Sequence, residues 1–274
     1  MNKTFAGLSL ERPLVMGIVN VTPDSFSDGG DAFSFDDALA RGLMLSAQGA
    51  DIIDVGGEST RPGAEPVSVD EEISRTQAVI ERLVQNNITV SIDTRHGDVM
   101  RAAIDAGASI VNDVTALEGD KRALEVVAKS DVSVVLMHMQ GDPGTMQKNP
   151  VYKDAAKEVF EYLKKRVEIC ENAGIARERI AVDPGIGFGK NLEHNLQILK
   201  TLNMYQSLGL ALLLGVSRKS FIGTISGEAT AKDRLPGSLA AGIWGVNNGV
   251  NILRVHDVAE TVQALKVFSA IESA

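Results

Sequence analysis

Asn20, Asp54, Asp93, Asn112, Asp183, Ser217, Arg254 and His256 share one setting: each stands at, or just beyond, the end of a short apolar run. A lone Asp in such a place is ordinarily a helix cap or a turn former. Polar residues closing run after run instead describe side chains gathered at one opening. Ser217, Arg218, Lys219 and Ser220 form a dense anion-facing cluster after the seventh run, and Arg61 in GESTRPG adds a cation after the second. Cations and hydroxyls around an amide suit phosphate oxygens bridged by Mg²⁺, which prefers hard oxygen ligands and keeps several waters. The carboxylates and Asn112 need a different partner. A flat heterocycle with a guanidine-like edge fits them, because one carboxylate accepts two parallel N–H bonds from such an edge.

Other chemistries lack their residues. No G-x-S-x-G elbow occurs, and the four His residues (96, 138, 194 and 256) are scattered, with no H-x-x-x-H pair. Cys170 is the only cysteine, which excludes an intrachain disulfide and points to a reducing compartment. It falls in a helical pattern around 153–173 and reads as packing rather than as a nucleophile. GIGFGK (185–190) looks like a nucleotide-binding loop, but three residues rather than four separate Gly185 from Gly189, and Asn191 replaces Ser or Thr. Its glycines read better as letting a loop approach a ligand closely. The net charge of −9 argues against a nucleic-acid or membrane-surface protein, since both need basic patches. No stretch approaches the roughly 18 apolar residues of a membrane span, so a cytoplasmic protein is expected.

The runs themselves set the architecture. They are LVMGIVNV (14–21), DIIDVG (51–56), TVSIDT (89–94), SIVNDV (109–114), VSVVLMH (132–138), IAVDPG (180–185), LLLGVSR (212–218) and NILRVHD (251–257). Amphipathic stretches fill the gaps, such as DDALARGLMLSAQGA and VDEEISRTQAVIERLVQ. Strand and helix in alternation imply parallel strands joined by right-handed crossovers. Eight units in 274 residues predict a (β/α)8 TIM barrel, with a doubly wound sheet as the alternative. No linker or composition break interrupts residues 1–274, so a single domain is expected. Side chains two apart share a strand face, which aligns Arg254 with His256, Ile52 with Asp54 and Ser91 with Asp93. Met137 and His138 compete for the inward direction. Asp54 reads as support for Gly56, Gly57 and nearby loop backbone. NVTPDSFSDGG (20–30) is either a plain connector or a mobile polar loop over a reaction site. GSLAAGIWGVNNG (237–249), apolar or small on nearly every face, packs tightly on the barrel or forms a subunit interface.

MGIVNVTPDSFSDGG, DIIDVGGESTRPG, SIDT, VNDV, LMHMQGDPGTMQ, DPGIGFGK, GVSRKSFIG, GSLAAGIW and RVHDV together resemble the signature segments of bacterial dihydropteroate synthases, in the same order from about Val15 to Val262. The resemblance implies a (β/α)8 barrel of the pterin-binding enzymes. Its members join para-aminobenzoate to 6-hydroxymethyl-7,8-dihydropterin pyrophosphate, giving 7,8-dihydropteroate and pyrophosphate in folate synthesis, and are the sulfonamide target. Asp93, Asn112, Asp183 and Lys219 then match positions that hold the pterin, with Val114 and Met137 as apolar contacts and Arg254 stacked over the ring. Asn20 matches an Mg²⁺ ligand, and Asn20, Arg254 and His256 match pyrophosphate contacts. Phe26, Thr60, Arg61, Pro62, Phe188, Lys219 and Ser220 match the aminobenzoate pocket. Asp28 matches a loop residue facing the reactive methylene, and Asp28, Arg61, Lys219, Arg254 and His256 form the implied catalytic set. NVTPDSFSDGG and ESTRPGAE become lids, and a homodimer is implied. Two other readings remain: a non-catalytic paralogue that only binds pterin, and a barrel passing a methyl group from methyltetrahydrofolate to a corrinoid protein. The latter would have little use for STRPG and SRKS.

Overall fold

A strand buried on both faces reads as a continuous apolar run rather than as an alternation, and the runs behave this way. The computed structural model describes residues 4–21, 35–59, 67–142 and 144–274. A hairpin, β1 (Thr4–Phe5) and β2 (Leu8–Ser9), precedes β3 (Leu14–Asn20), α1 (Phe35–Ala47), β4 (Ile52–Gly56) and α2 (Val69–Gln85). Next come β5 (Val90–Asp93), α3 (Gly97–Asp105), β6 (Ile110–Asp113), α4 (Ala123–Ala128), β7 (Ser133–Met137) and α5 (Ala155–Asn172). The chain continues with β8 (Ile180–Asp183), α6 (Leu192–Lys200) and β9 (Ala211–Leu214). It finishes with α7 (Ser220–Ser226), α8 (Leu235–Asn247), β10 (Ile252–Val255) and α9 (Val258–Glu272). Strands β3 to β10 pair in parallel and close on themselves when β10 bonds both β9 and β3. The sheet is a closed (β/α)8 barrel, not the open alternative.

Strand parity divides the apolar residues between two cores. Leu14, Met16, Ile52, Ile110, Val135, Ala181, Leu213 and Ile252 fill the barrel interior. Val15, Val19, Ile53, Val111, Val134 and Leu212 face outward onto the helices. Each large buried aliphatic side chain stabilises the fold by about 1.5–3 kcal/mol relative to exposure. The hairpin has no counterpart among the expected elements. It turns through Ala6 (φ 49°) and Gly7 (φ 77°), and Phe5, 1% exposed, joins the interior cluster beside Leu14 and Met16. The N-terminal end of the barrel is thereby stoppered with apolar atoms.

Helix starts are fixed by side-chain caps. Ser68 Oγ accepts from Glu71 N at the start of α2, and Asp154 accepts from Lys157 N at the start of α5. Asn191 and His194 form a reciprocal capping box on α6. Strands end earlier than the apolar runs suggest: β9 stops at Leu214 and β10 at Val255, so Ser217 and His256 ride on the loops that follow. Cys170 is wholly buried in α5, where burial pushes its thiol up to about 11, as packing demands. Among the described residues, no helix is long and apolar enough to cross a membrane.

Candidate active site

Two residues beyond the last interior aliphatic layer, the inward positions turn polar. The ladder sets Gly56 beside Asp93, Asp93 beside Asn112, and Met137 beside Asp183. Arg254 crosses the mouth between two of these carboxylates. Its Nε donates to Asp54 Oδ2 and its Nη2 to Asp93 Oδ2, each at 2.6 Å. Asn112 Nδ2 donates to the same Asp54 oxygen at 3.1 Å. Asp54, fully buried, therefore holds Arg254 and Asn112 rather than the expected backbone of Gly56 and Gly57. Truncating it would leave Arg254, a fifth exposed, with Asp93 as its carboxylate partner and would take from Asn112 the acceptor of its amide.

The low-polarity floor resets the charges around it. Burial pushes Asp93 up to about 7, with Arg254 opposing the shift. Burial also raises Asp183, against the pull of Lys219 and of the Gly185 N–H that bonds Asp183 Oδ1 at 2.7 Å. Lys219 is driven down to about 8 by burial, which outweighs the attraction of Asp183. Arg254 lies above its ordinary value because Asp54 and Asp93 outweigh its desolvation.

Met137 shares the inward parity of Val135 and is 4% exposed, which settles its competition with His138. His138 points to the other side of the strand and packs edge-on against Tyr162, ring centroids 4.9 Å apart. Val114, just past β6, is buried beside the mouth. Lys219 Nζ donates to Ile186 O and stands 4.3 Å over the Phe188 ring. Ser220 opens α7 and is exposed.

The loops after β9 and β10 are stitched together. Ser217 Oγ lies 3.0 Å from His256 Nδ1 and accepts from His256 N at 3.2 Å. Arg41 Nη2 donates to His256 O at 2.9 Å. Arg218 does not join the anion-facing cluster that its neighbours suggested. Its guanidinium makes two bonds to Asp257, one through Nε at 2.9 Å, and its backbone is left-handed (φ 59°). That geometry turns Arg218 outward and Lys219 inward.

Asn20 closes β3, half-buried, and a Cβ on Gly56 would sit 3.8 Å from Asn20 Oδ1 and 3.7 Å from Asp93 Oδ2, so the missing side chain keeps that corner open. Among the described residues no group of three His, Cys, Asp or Glu side chains could hold a metal. The Asn20 amide oxygen is a hard donor, of the kind that fits a cation taking its remaining ligands from water and substrate. Phe26 and Asp28 (within 22–34), and Thr60, Arg61 and Pro62 (within 60–66), lie outside the described residues.

Lys190 is the main feature that the sequence conceals. Its nitrogen turns inward to His138 and three backbone carbonyls, and Asn191 caps α6 instead of standing in for a phosphate-loop hydroxyl. Arg41, Asp257 and Ser217 also frame the site, and only Ser217 stands out from its place in the sequence.

The same fold occurs in known proteins. The model of the pterin binding enzyme family matches residues 16–256. Dihydropteroate synthase of Escherichia coli (strain K12) is 48% identical over 268 residues, covering 97% of this chain and 94% of that one. The structure of Xanthomonas albilineans dihydropteroate synthase with 4-aminobenzoic acid superposes with a TM-score of 0.92 at 48% identity, covering 98% of this chain and 97% of that one. The same organism's enzyme in complex with 7,8-dihydropteroate gives 0.89 at 46% identity, covering 97% and 96%. The chain belongs to the pterin binding enzyme family, and within it to the dihydropteroate synthases.

Proposed function

We propose that the barrel mouth condenses 6-hydroxymethyl-7,8-dihydropterin pyrophosphate with para-aminobenzoate, releasing 7,8-dihydropteroate and pyrophosphate. One observation carries this reading: Arg254 pairs with Asp54 and Asp93, Asn112 bonds the same Asp54, and Asp183 lies within electrostatic reach of both Lys219 and Arg254. Asp93 and Asp183 accept N–H bonds from the pterin edge, and Asn112 adds an amide. Val114 and Met137 line the ring, and Arg254 stacks over it while facing the diphosphate. Asn20 and His256 take the phosphate end. Phe26, Thr60, Arg61, Pro62, Phe188, Lys219 and Ser220 receive the aminobenzoate.

No protein nucleophile is required. The pterin C–O bond breaks heterolytically, its electron pair leaves with pyrophosphate, and the electron-rich dihydropterin delocalises the methylene cation. Arg254 and His256 neutralise charge growing on the leaving oxygens, each such contact contributing about 3 kcal/mol at the transition state. Asp28 stabilises the cation, and keeping water from the site prevents its being trapped. The neutral aryl amine attacks the methylene and then loses a proton. Asn20 would hold Mg²⁺, which supplies Lewis-acid charge neutralisation to the diphosphate.

The reducing cytoplasm suits a lone buried thiol, and α8, which presents a half-exposed Trp244, suits a homodimer interface. Purified protein with Mg²⁺, the pterin pyrophosphate and labelled aminobenzoate should yield labelled dihydropteroate, and a chelator should stop it. A folded chain that forms no product under these conditions sinks the proposal.

A further inference from the structure

Lys190 ends the GIGFGK segment, yet its side chain is buried behind the loop rather than offered to a ligand. It is 2% exposed. Its Nζ lies 2.9 Å from His138 Nδ1, 3.2 Å from His138 O, 2.9 Å from Gly185 O and 3.0 Å from Phe188 O. No carboxylate is among these partners. Burial holds Lys190 well below the ordinary lysine value, and burial likewise presses His138 down to about 3. The amine thus serves as a hub for carbonyl oxygens, and removing it would leave several buried acceptors without a donor.

The two loop carbonyls it grips bracket Ile186 and Gly187, the residues that touch Lys219. Ile186 O accepts from Lys219 Nζ, and the Phe188 ring lies beneath that ammonium. Gly187 (φ 84°) leaves little room for a side chain, because a Cβ would come within 3.1 Å of Lys219 Cδ. Asn195 Oδ1 accepts from Gly187 N at 2.8 Å, and Tyr152 donates to Gly189 O at 2.9 Å, so the turn is also pinned from outside. The contacts that steady Lys219 therefore lie on a short turn clipped at both ends by one buried nitrogen.

We propose that Lys190 is a positioning residue for Lys219: by fixing the Gly185–Phe188 turn from behind, it sets where the Lys219 ammonium stands in the mouth. The kinetic half of this inference rests on the proposed condensation reaction, in which Lys219 serves the aminobenzoate pocket. The structural half does not.

The test is a double-mutant cycle on the full chain, using Lys190→Met, Lys219→Ala and the pair. Lys190→Met keeps the apolar stem and removes the donor. It should lower kcat/KM for aminobenzoate about tenfold in the wild-type background and less than about twofold when Lys219 is already Ala, because both changes then remove one function. An equal loss in both backgrounds, or no loss in the first, overturns the proposal, since a purely structural residue would act additively.

A readout independent of turnover is the NMR spectrum of the chain carrying isotopically labelled lysine. Lys219 signals, assigned by their absence in Lys219→Ala, should show the upfield ring-current shift that Phe188 imposes, and Lys190→Met should move them toward ordinary lysine positions. Unmoved signals refute the positioning role even if the wild-type chain makes no product, an outcome that would count against the reaction alone. If Lys190→Met gives no folded chain, Lys190→Gln, whose amide nitrogen stops one bond short of the Nζ position and so cannot serve all three carbonyls, goes through the same cycle and the same spectrum. The same shifts and rate losses then support the role, and their absence overturns it.

Discussion

Asp93 and Lys219 sit in the same buried mouth but are useful in opposite protonation states. In the proposed reaction Asp93 accepts pterin N–H bonds as a carboxylate, so activity should fall as pH drops through about 7. Lys219 must be an ammonium to hold its partners, so activity falls as pH rises through about 8. The kcat/KM profile for pterin pyrophosphate should be a narrow bell with limbs near these values. Lys219→Met should abolish the alkaline limb, and Lys219→Ala should impair the use of both substrates; unchanged kinetics for either would contradict its shared position. These residues were legible because carboxylates and amides at strand ends are rare as a set. Lys190 was not, because a lysine after glycines looks the same in sequence whether it faces a phosphate or a backbone carbonyl. Met137 and His138 are both acceptable inside a barrel, and the inward parity that Met137 shares with Val135 decides between them.

At the scale of elements, the loop after β8 is shaped by close approach. Gly185 has φ 67°, and a Cβ there would collide with His138 O. Gly185→Ala must move the turn or the strand beside it, with a left-handed alanine costing about 1 kcal/mol by itself. The expected result is a loss of about 2 kcal/mol or more in denaturant unfolding, together with weakened pterin binding because the Gly185 N–H that aligns Asp183 shifts. Unaltered binding by calorimetry would show that this bond does not set the carboxylate. The apolar runs located every barrel strand, and the expected span of the second helix coincides with α2 at Val69–Gln85. The runs overshot the C-terminal ends of β9 and β10, where Gly215 to Arg218 and His256 to Asp257 continue the motif after the strand has ended. The β1–β2 hairpin was invisible, since two-residue strands carry no periodicity.

For the whole molecule, the α8 side poses a question of assembly. Trp244 is 49% exposed even though its Nε1 donates to Leu199 O at 2.8 Å. A half-exposed, anchored indole on an apolar helix is a surface that a second copy would cover. Light scattering should return twice the chain mass, and Trp244→Glu should lower it toward that of one chain. A monomer in the unaltered protein would remove the dimer from the scheme. The sequence could propose this face but not its orientation, because a helix apolar on all sides does not say which side meets the barrel.

The stopper built around Phe5 has a consequence for traffic. A vessel sealed at its base has one door, so in the proposed reaction the pterin, assigned to the buried Asn112 and Asp183, must come in before the aminobenzoate. A surplus of the shallower guest then obstructs the deeper one: high aminobenzoate should inhibit turnover, and added pterin pyrophosphate should relieve it competitively. Initial rates measured over a grid of both concentrations would reveal this queue.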